Sequence, residues 1–478
     1  MPKQEEKLGI TVKKSDDFSE WYNEVVIKSE LAEHSPIKGF MVIKPRGYSI
    51  WEKIQAYFDK NIKKLGVRNA YFPLLIPEKF FKKEAEHAEG FAPELAWIAE
   101  KEEGERYAIR PTSETIMYDS YSKWIRSWRD LPLRINQWCN VLRWEVKQTK
   151  LFLRTREFLW QEGHCVYETE DECEKETKMY LNEYKKVCEE LLAIPVIEGE
   201  KTDKERFAGA KRTYTLEALM PDGKALQMGT SHNLGQNFAK AFGIKFLGRD
   251  ERIKIPWQNS WGLSTRTIGA VVMTHSDDKG LVLPPKVAPT QIVIVPIYSN
   301  ENKENILKKA GEIKSKLKNY EVELDDRDSY SPGWKFNEWE LKGVPIRLEI
   351  GPKDIEKKQV VVVRRDTNEK EAVPVANIDE KMKETLDYIQ NHLFENAKKF
   401  LKSNLVFAES WQDFAKQLKD RKLVNAPFCG SVECEDYIKD KTNGATSRLI
   451  PFGQPKKLGK CIHCGKEAKF MVIFGKAY

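Results

Sequence analysis

Two segments, Val141-Leu142-Arg143-Trp144-Glu145 and Arg154-Thr155-Arg156-Glu157-Phe158, decide how this chain is read. Alternation places Arg143 and Glu145 on one face of a strand, and the second segment returns after a polar loop, so the two form a hairpin with four charges on or near one surface. The surroundings are β-rich from Leu131 to Val166, with Leu133-Arg134-Ile135-Asn136-Gln137-Trp138 before the hairpin turn and Phe158-Leu159-Trp160-Gln161 after it. A third arginine comes from Trp261-Gly262-Leu263-Ser264-Thr265-Arg266, at a strand end and helix start. One such arginine would ordinarily be a surface ion pair. Several converging on a sheet face beside Phe158 suit a planar base and its phosphates, because guanidinium both stacks and forks. Neither G-x-x-x-x-G-K-[ST] nor G-x-G-x-x-G occurs, so a nucleotide would need another scaffold.

Outward from the hairpin, Ile50, Ile54, Tyr57, Phe58, Ile62 and Leu65 repeat at helical spacing up to Gly66, and residues 70–77 read as a proline-interrupted strand. Downstream, Tyr180, Tyr184, Val187, Cys188 and Leu191 share a helix face, strands are expected at 212–219, 225–228 and 257–264, and an apolar helix follows Arg266. The pattern predicts an α+β body built on an antiparallel sheet over residues 1–285. The proline-rich joint Leu283-Pro284-Pro285-Lys286-Val287-Ala288-Pro289 closes it. Strand 291–297, helix 303–317, strand 321–325, helix 332–341 and strands 345–350 and 359–364 predict an alternating α/β domain over 286–380. An amphipathic helix with Met382, Leu386, Ile389, Leu393, Ala397 and Phe400 opens a last segment, 381–478.

Composition excludes several classes. With 478 residues, 41% apolar and 32% charged, the chain is neither disordered nor collagen-like. Its longest apolar runs fall short of the roughly 20 residues of a membrane span, and Met1–Lys7 resembles no secretory or transit signal. A cytosolic protein is expected. The net charge of +7 has a location: residues 441–478 hold eight Lys/Arg and one acid, Glu467, while the rest of the chain is neutral. A basic end on a neutral body suits a polyanion partner.

The cysteines divide the same way. Cys139, Cys165, Cys173 and Cys188 fall in apolar periodic segments and read as buried and inert. Cys429-x4-Cys434 and Cys461-Ile462-His463-Cys464 have the paired-knuckle spacing of a tetrahedral zinc site, with Gly430 and Gly465 where tight turns need them. His463 could take the place of one cysteine; either way four protein ligands leave no open position, which predicts a structural metal.

These residues resemble a known class. The proline-containing strand after a long helix (Pro73), the hairpin from Arg143-x-Glu145 to Arg154-x-x-x-Phe158, and the Gly-x-x-x-Arg ending at Arg266 resemble motifs 1, 2 and 3 of class II aminoacyl-tRNA synthetases. Within the class, Arg110-Pro111-Thr112-Ser113-Glu114, Trp160-Gln161-Glu162-Gly163-His164 and the stretch from Gln227 to Gln236 are similar to the prolyl-tRNA synthetase family, over essentially the whole chain. The four cysteines and the terminal Tyr478 resemble its archaeal and eukaryotic branch. Only 62 residues lie between His164 and Gln227, so the large editing insert of many bacterial relatives is not expected.

The resemblance implies ATP-dependent activation of L-proline and transfer to tRNA(Pro), with magnesium on the triphosphate, and a homodimer through motif 1. Arg143 would bridge the amino acid carboxylate and the α-phosphate, with Arg143 and Arg266 as catalytic arginines. Arg154 and Arg266 would hold the γ-phosphate region, and Phe158 and Arg266 the two faces of adenine. Thr155, Gln227 and Thr230 would contact base, phosphate or ribose, and Glu145 the adenine amino group or the tRNA end. A proline ring needs an apolar slot plus acceptors for a secondary ammonium. Thr112 and Glu114 can accept, and Phe91, Trp160 and His164 supply walls, with Glu162, Arg143 and Ser264 alongside; Trp160, Glu162 and His164 share a strand face. His232 is assigned a supporting place only. Glu340, Arg347 and Arg365 are candidate readers of unstacked anticodon bases. A synthetase for another small amino acid, or a silent RNA-binding paralogue, remain the alternatives.

Overall fold

The computed structural model describes residues 9–85, 94–98 and 104–478. Its centre is an antiparallel run of six strands: Ile197–Glu200, Arg212–Leu219, Ala225–Gly235, Trp257–Ser264, Glu157–Tyr167 and Leu133–Leu142, in that spatial order. Arg68–Asn69 adds a parallel edge beside Ile135 and Asn136. The antiparallel sheet expected from alternation is therefore present. The strand expected over 70–77 is much shorter: only Leu75–Pro77 pairs, with Tyr107–Ile109. Pro73 has no N–H to offer a ladder, and the N–H of Phe72 is taken by the Gln137 side chain.

One face of the sheet is covered by helices Pro45–Lys64, Glu170–Lys186 and Arg266–His275. Their apolar positions meet Trp261, which stacks on Tyr180 at 4.1 Å between ring centroids, while Phe58 stacks on Tyr184 at 5.0 Å. All four rings are buried, and losing one such ring costs about 3–5 kcal/mol. Thr169 starts the Glu170–Lys186 helix with a capping box to Glu172. The hairpin loop is less polar than expected, because Leu151, Phe152 and Leu153 are buried in this same core. They anchor the loop in the core, while Arg143 before it lines the opposite face.

The 292–374 region is a five-stranded sheet in the order Val322–Leu324, Ile292–Pro296, Ile346–Ile350, Gln359–Arg364 and Lys370–Pro374, the first three parallel. Helix Pro332–Leu341 starts at Ser331, whose hydroxyl accepts from Trp334 N. Its Trp339 is buried and donates Nε1–H to Asp325 at 2.8 Å.

The last segment opens with helix Ile378–Asn404 and adds strands Leu405–Phe407, Leu423–Phe428, Phe470–Gly475 and Thr446–Pro451. It does not stand apart from the first body. Ile450 and Pro451 pair with Glu200 and Gly199, joining all these strands into one 11-stranded sheet. Ile197–Glu200 would otherwise present an open edge. Gly199 makes the union possible, since a Cβ there would lie 2.2 Å from the Ile450 carbonyl oxygen.

Candidate active site

Opposite the helices, the sheet face forms a cleft of about 360 Å³. Thr112, Glu114, Arg143, Glu145, Phe158, Trp160, Glu162, His164, Gln227, Thr230, Ser264 and Arg266 all line it. Residues from five separate stretches of sequence thus converge as expected. Register explains how: Ser264 lies opposite Trp160, Gly262 opposite Glu162 and Ser260 opposite His164. The glycines and serines of one strand leave room above it for the large side chains of the other. Gly163 faces the core, where a Cβ would lie 2.0 Å from the Trp261 ring.

At one end sits a buried polar nest. His164 lies 3.1 Å from Glu162 through Nε2 and 3.1 Å from the Tyr118 hydroxyl through Nδ1. Glu162 also accepts from the Ser113 N–H at 3.1 Å and Gln137 Nε2 at 3.1 Å, and Thr112 donates to Glu114. Burial opposes charge on both members of the pair. For His164 the fields of Glu114 and Glu162 prevail and raise its pKa, and for Glu162 the His164 bond prevails and lowers it. Two carboxyl groups, Glu114 and Glu162, thus meet one imidazole at this end, an acceptor-rich set suited to a cationic amine. Glu114, Glu162 and His164 also have metal-like proximity. With both His164 ring nitrogens and the Glu162 oxygens already bonded, however, the set is better suited to an ammonium than to a metal ion.

Arg143 lies over this end, 5.3 Å from the Phe158 ring centroid and 5.6 Å from that of Trp160. Arg266 is held from the other side by the carbonyls of Leu153 (3.2 Å) and Gln227 (3.3 Å). Burial, then repulsion from Arg143, brings its pKa down to about 10, which leaves it charged at neutral pH. Burial, and then the charges of His164 and Arg143, bring His232 down to about 3, so its imidazole is neutral, 3.0 Å from the Thr213 hydroxyl.

Some expected residues stand elsewhere. Arg154 is exposed at the hairpin loop, and Thr155 is buried with its hydroxyl on the Glu157 carbonyl at 2.6 Å; neither lines the cleft. Phe91 lies outside the described residues. Cys139 is only half-buried, its sulfur 3.3 Å from Glu162. Conversely, Lys201, Glu205, Phe207 and Thr213 line the cleft without having been expected there. The alternation Thr213-Tyr214-Thr215-Leu216-Glu217-Ala218 was the available signal, since it puts three polar side chains on one sheet face.

In the second domain, Arg347 forks onto Glu349 at 2.9 and 3.1 Å and lies 4.3 Å from the Phe336 ring. The Glu340 carboxylate meets Lys279 at 3.0 Å. Arg365 requires a correction. It is 5% exposed, and its donors go to both oxygens of Asp277 (2.6 and 2.8 Å) and to the Glu340 carbonyl (2.9 Å). With its fork satisfied across the domain boundary, it clamps rather than reads.

The four carboxy-terminal cysteines converge, their sulfurs all within 4.8 Å of one another. Cys429 and Cys434 are 3.5 Å apart and Cys429 and Cys464 3.8 Å, too far for disulfides and close to the edge of a tetrahedron with metal–sulfur bonds of about 2.3 Å. The donor set fits zinc. His463 stacks on Tyr437 with 3.8 Å between ring centroids, and its Nδ1 lies 3.2 Å from the Cys434 sulfur, beside the four-cysteine cluster.

An antiparallel sheet carrying three arginine-bearing motifs, with an appended α/β module, defines a class II aminoacyl-tRNA synthetase. Residues 97–275 match the family described as tRNA synthetase class II core domain (G, H, P, S and T), 291–385 the anticodon binding domain, and 411–478 the prolyl-tRNA synthetase C-terminal domain. Proline--tRNA ligase 2 of Clostridioides difficile (strain 630) is 52% identical over 98% of this chain and 97% of its own length. Proline--tRNA ligase of Alkaliphilus oremlandii (strain OhILAs) is 54% identical over 97% and 96%. That of Natranaerobius thermophilus is 51% identical over 99% of each. The chain belongs to the proline--tRNA ligase family. Among the described residues no helix is long and apolar enough to cross a membrane.

Proposed function

We propose that this chain activates L-proline with ATP, releasing pyrophosphate, and transfers the prolyl group to the 3′ end of tRNA(Pro) in the cytoplasm. The observation that carries this reading is the meeting, in one cleft, of a ring-sized nest rich in carboxylate acceptors and two arginines, Arg143 and Arg266. Proline's ammonium sits against Thr112, Glu114 and the Glu162–His164 pair, its ring against Trp160, with Ser264 completing the pocket. Its carboxylate then faces Arg143. The carboxylate oxygen attacks the α-phosphorus, the bond to the β-phosphate oxygen breaks, and pyrophosphate leaves. No proton is removed in that step, so positioning and charge do the work. Arg143 offsets the charge on the transferring phosphoryl oxygens. Arg266, with Arg154, neutralises the departing end, and Phe158 and Arg266 hold the adenine faces. Thr155, Gln227, Thr230 and Glu145 complete the nucleotide contacts. Magnesium, when bound, lowers the charge of the triphosphate and of the leaving pyrophosphate. In the second step a ribose hydroxyl of the tRNA end attacks the prolyl carbonyl and AMP leaves.

Cys429, Cys434, Cys461 and Cys464 would hold a structural zinc, Glu340 and Arg347 would face the anticodon, and two chains would form a homodimer. The experiment is amino-acid-dependent ATP–pyrophosphate exchange with each standard amino acid in turn. Exchange with proline above all others is expected. Preference for another small amino acid would keep the class and overturn the pocket assignment, and no exchange would leave a silent RNA-binding paralogue.

A further inference from the structure

The wall of the cleft continues beyond the nucleotide residues into the last segment of the chain. Across the Arg212–Leu219 and Ala225–Gly235 strands, Glu217 is the direct partner of Gln227, Thr215 of Thr230 and Thr213 of His232. Glu217 is 1% exposed, a position where an unpaired carboxylate is strongly disfavoured. Two cations reach it. Lys201 Nζ lies 2.7 Å from one oxygen, and Arg448 Nη2 lies 3.1 Å from both, with Nε at 3.3 Å. Burial alone would raise the Glu217 pKa, yet Lys201 and Arg448 prevail and lower it.

Arg448 comes from Thr446–Pro451, the strand by which the cysteine-bearing segment joins the catalytic sheet. It reaches Glu217 past the intervening strand Ile197–Glu200, whose Gly199 lies so close to the Ile450 carbonyl that a Cβ there would be 2.2 Å from its oxygen. Lys201 also donates to the Arg448 carbonyl at 2.7 Å, so two of its three N–H groups are spent within the network, and the side chain lines the cleft. One carboxylate against two cations gives a buried cluster of formal charge +1. On its other side, the Gln227 carbonyl accepts from Arg266 Nη1. A contiguous row therefore runs from Arg266 through Gln227 and Glu217 to Arg448.

We propose that Arg448 is a positioning residue for ATP use. By fixing Glu217 and Lys201 beneath the Gln227–Thr230 wall, the metal-bearing segment sets the shape and the positive field of the triphosphate end of the cleft. This rests on the reading of the cleft as a site of ATP-dependent adenylation, and it gives the carboxy-terminal segment a part in the first half-reaction, before any tRNA is present. Glu217 and Arg448 touch no reacting atom, so their effect should fall on ATP and spare proline.

The test is ATP–pyrophosphate exchange by the full-length protein and by Arg448→Met and Arg448→Lys, with zinc content and thermal melting measured on each. Arg448→Met is expected to raise KM for ATP roughly tenfold or more, because small misplacements of binding groups are amplified in rate. KM for proline should stay within about twofold, the span of an indirect effect on a separate subsite. Arg448→Lys keeps the charge without the fork and should fall between. A folded, zinc-loaded Arg448→Met protein with unchanged ATP parameters overturns the proposal. So does an equal loss towards ATP and proline accompanied by lower melting, which is what a purely structural pair would give. If Arg448→Met does not fold, Arg448→Lys decides in the same way. Absence of exchange in the parent protein would remove the ATP reading and this inference together, whereas an active parent with insensitive variants removes only the inference.

Discussion

Glu162 and His164, two residues apart on one strand face, form a buried pair with 3.1 Å between Glu162 Oε2 and His164 Nε2. Because the His164 pKa is raised by Glu114 and Glu162 against the pull of burial, its contribution to stability is fully present below 6.5 and is lost as pH rises through the higher folded value. Glu162 has the opposite sign: its contribution is present above 4.5 and is lost as pH falls through its lowered value. Thermal melting from about pH 2 to 9 should therefore fall on both sides of a plateau, and His164→Gln should flatten the alkaline limb. An imidazole NMR titration with a midpoint at or below 6.5 would contradict this.

Replacing Arg143 by Ala should reduce proline-dependent ATP–pyrophosphate exchange by about 100-fold or more, the loss typical when one preorganised charge-stabilising donor is removed. The folded state should persist, since the half-buried Arg143 side chain rests on the Phe158 and Trp160 rings at the cleft surface. Circular dichroism beside the exchange assay separates the two effects. Retained exchange would remove Arg143 from its assigned place.

Gly163→Ala should be far more damaging than its size suggests. The new methyl would lie 2.0 Å from the Trp261 indole, which is wedged against Tyr180, so strand or ring must move. A loss of about 1–3 kcal/mol is expected from such overpacking. Urea titration reads it directly, and an unchanged midpoint would show that the core yields.

Cys434→Ser, or prolonged chelation, should lower zinc content below one ion per chain and lower the melting temperature. Metal binding and local folding are linked, and the cysteines flank strands that continue the catalytic sheet. Metal analysis and melting on one preparation check both. Full zinc content in Cys434→Ser would exclude that thiolate as a required ligand.

Arg365→Met should loosen the contact between the first two domains while sparing amino acid activation. It leaves Asp277 without its forked partner and frees the Glu340 carbonyl. Aminoacylation of tRNA should therefore fall more than exchange does, chiefly through KM for tRNA. An equal fall in both assays would place the effect in the cleft instead.

Most of the site was legible because its chemistry is local in sequence. Arg143, Phe158, Trp160, Glu162 and His164 lie on one hairpin, and strand alternation alone puts the last three on one face. Gly-x-x-x-Arg marks Arg266, and cysteine spacing marks the four-thiol cluster. Arg365 was misplaced for the converse reason. An arginine after a strand looks available in sequence, and only the approach of Asp277, 88 residues earlier in the chain, consumes its donors.

The sequence by itself determined the antiparallel catalytic body, the α/β module after the proline joint, the arginine and carboxylate chemistry of the cleft, and the four-thiolate set. Each follows from periodicity or from donors a few residues apart. Only tertiary structure decided that the carboxy-terminal strands extend the catalytic sheet through Gly199 and Ile450, that Arg448 closes on Glu217, and that Leu151–Leu153 anchor the hairpin in the core. Those depend on burial and on pairings between residues far apart in the chain, where an edge strand takes whichever partner reaches it and a buried charge takes whichever counter-charge arrives.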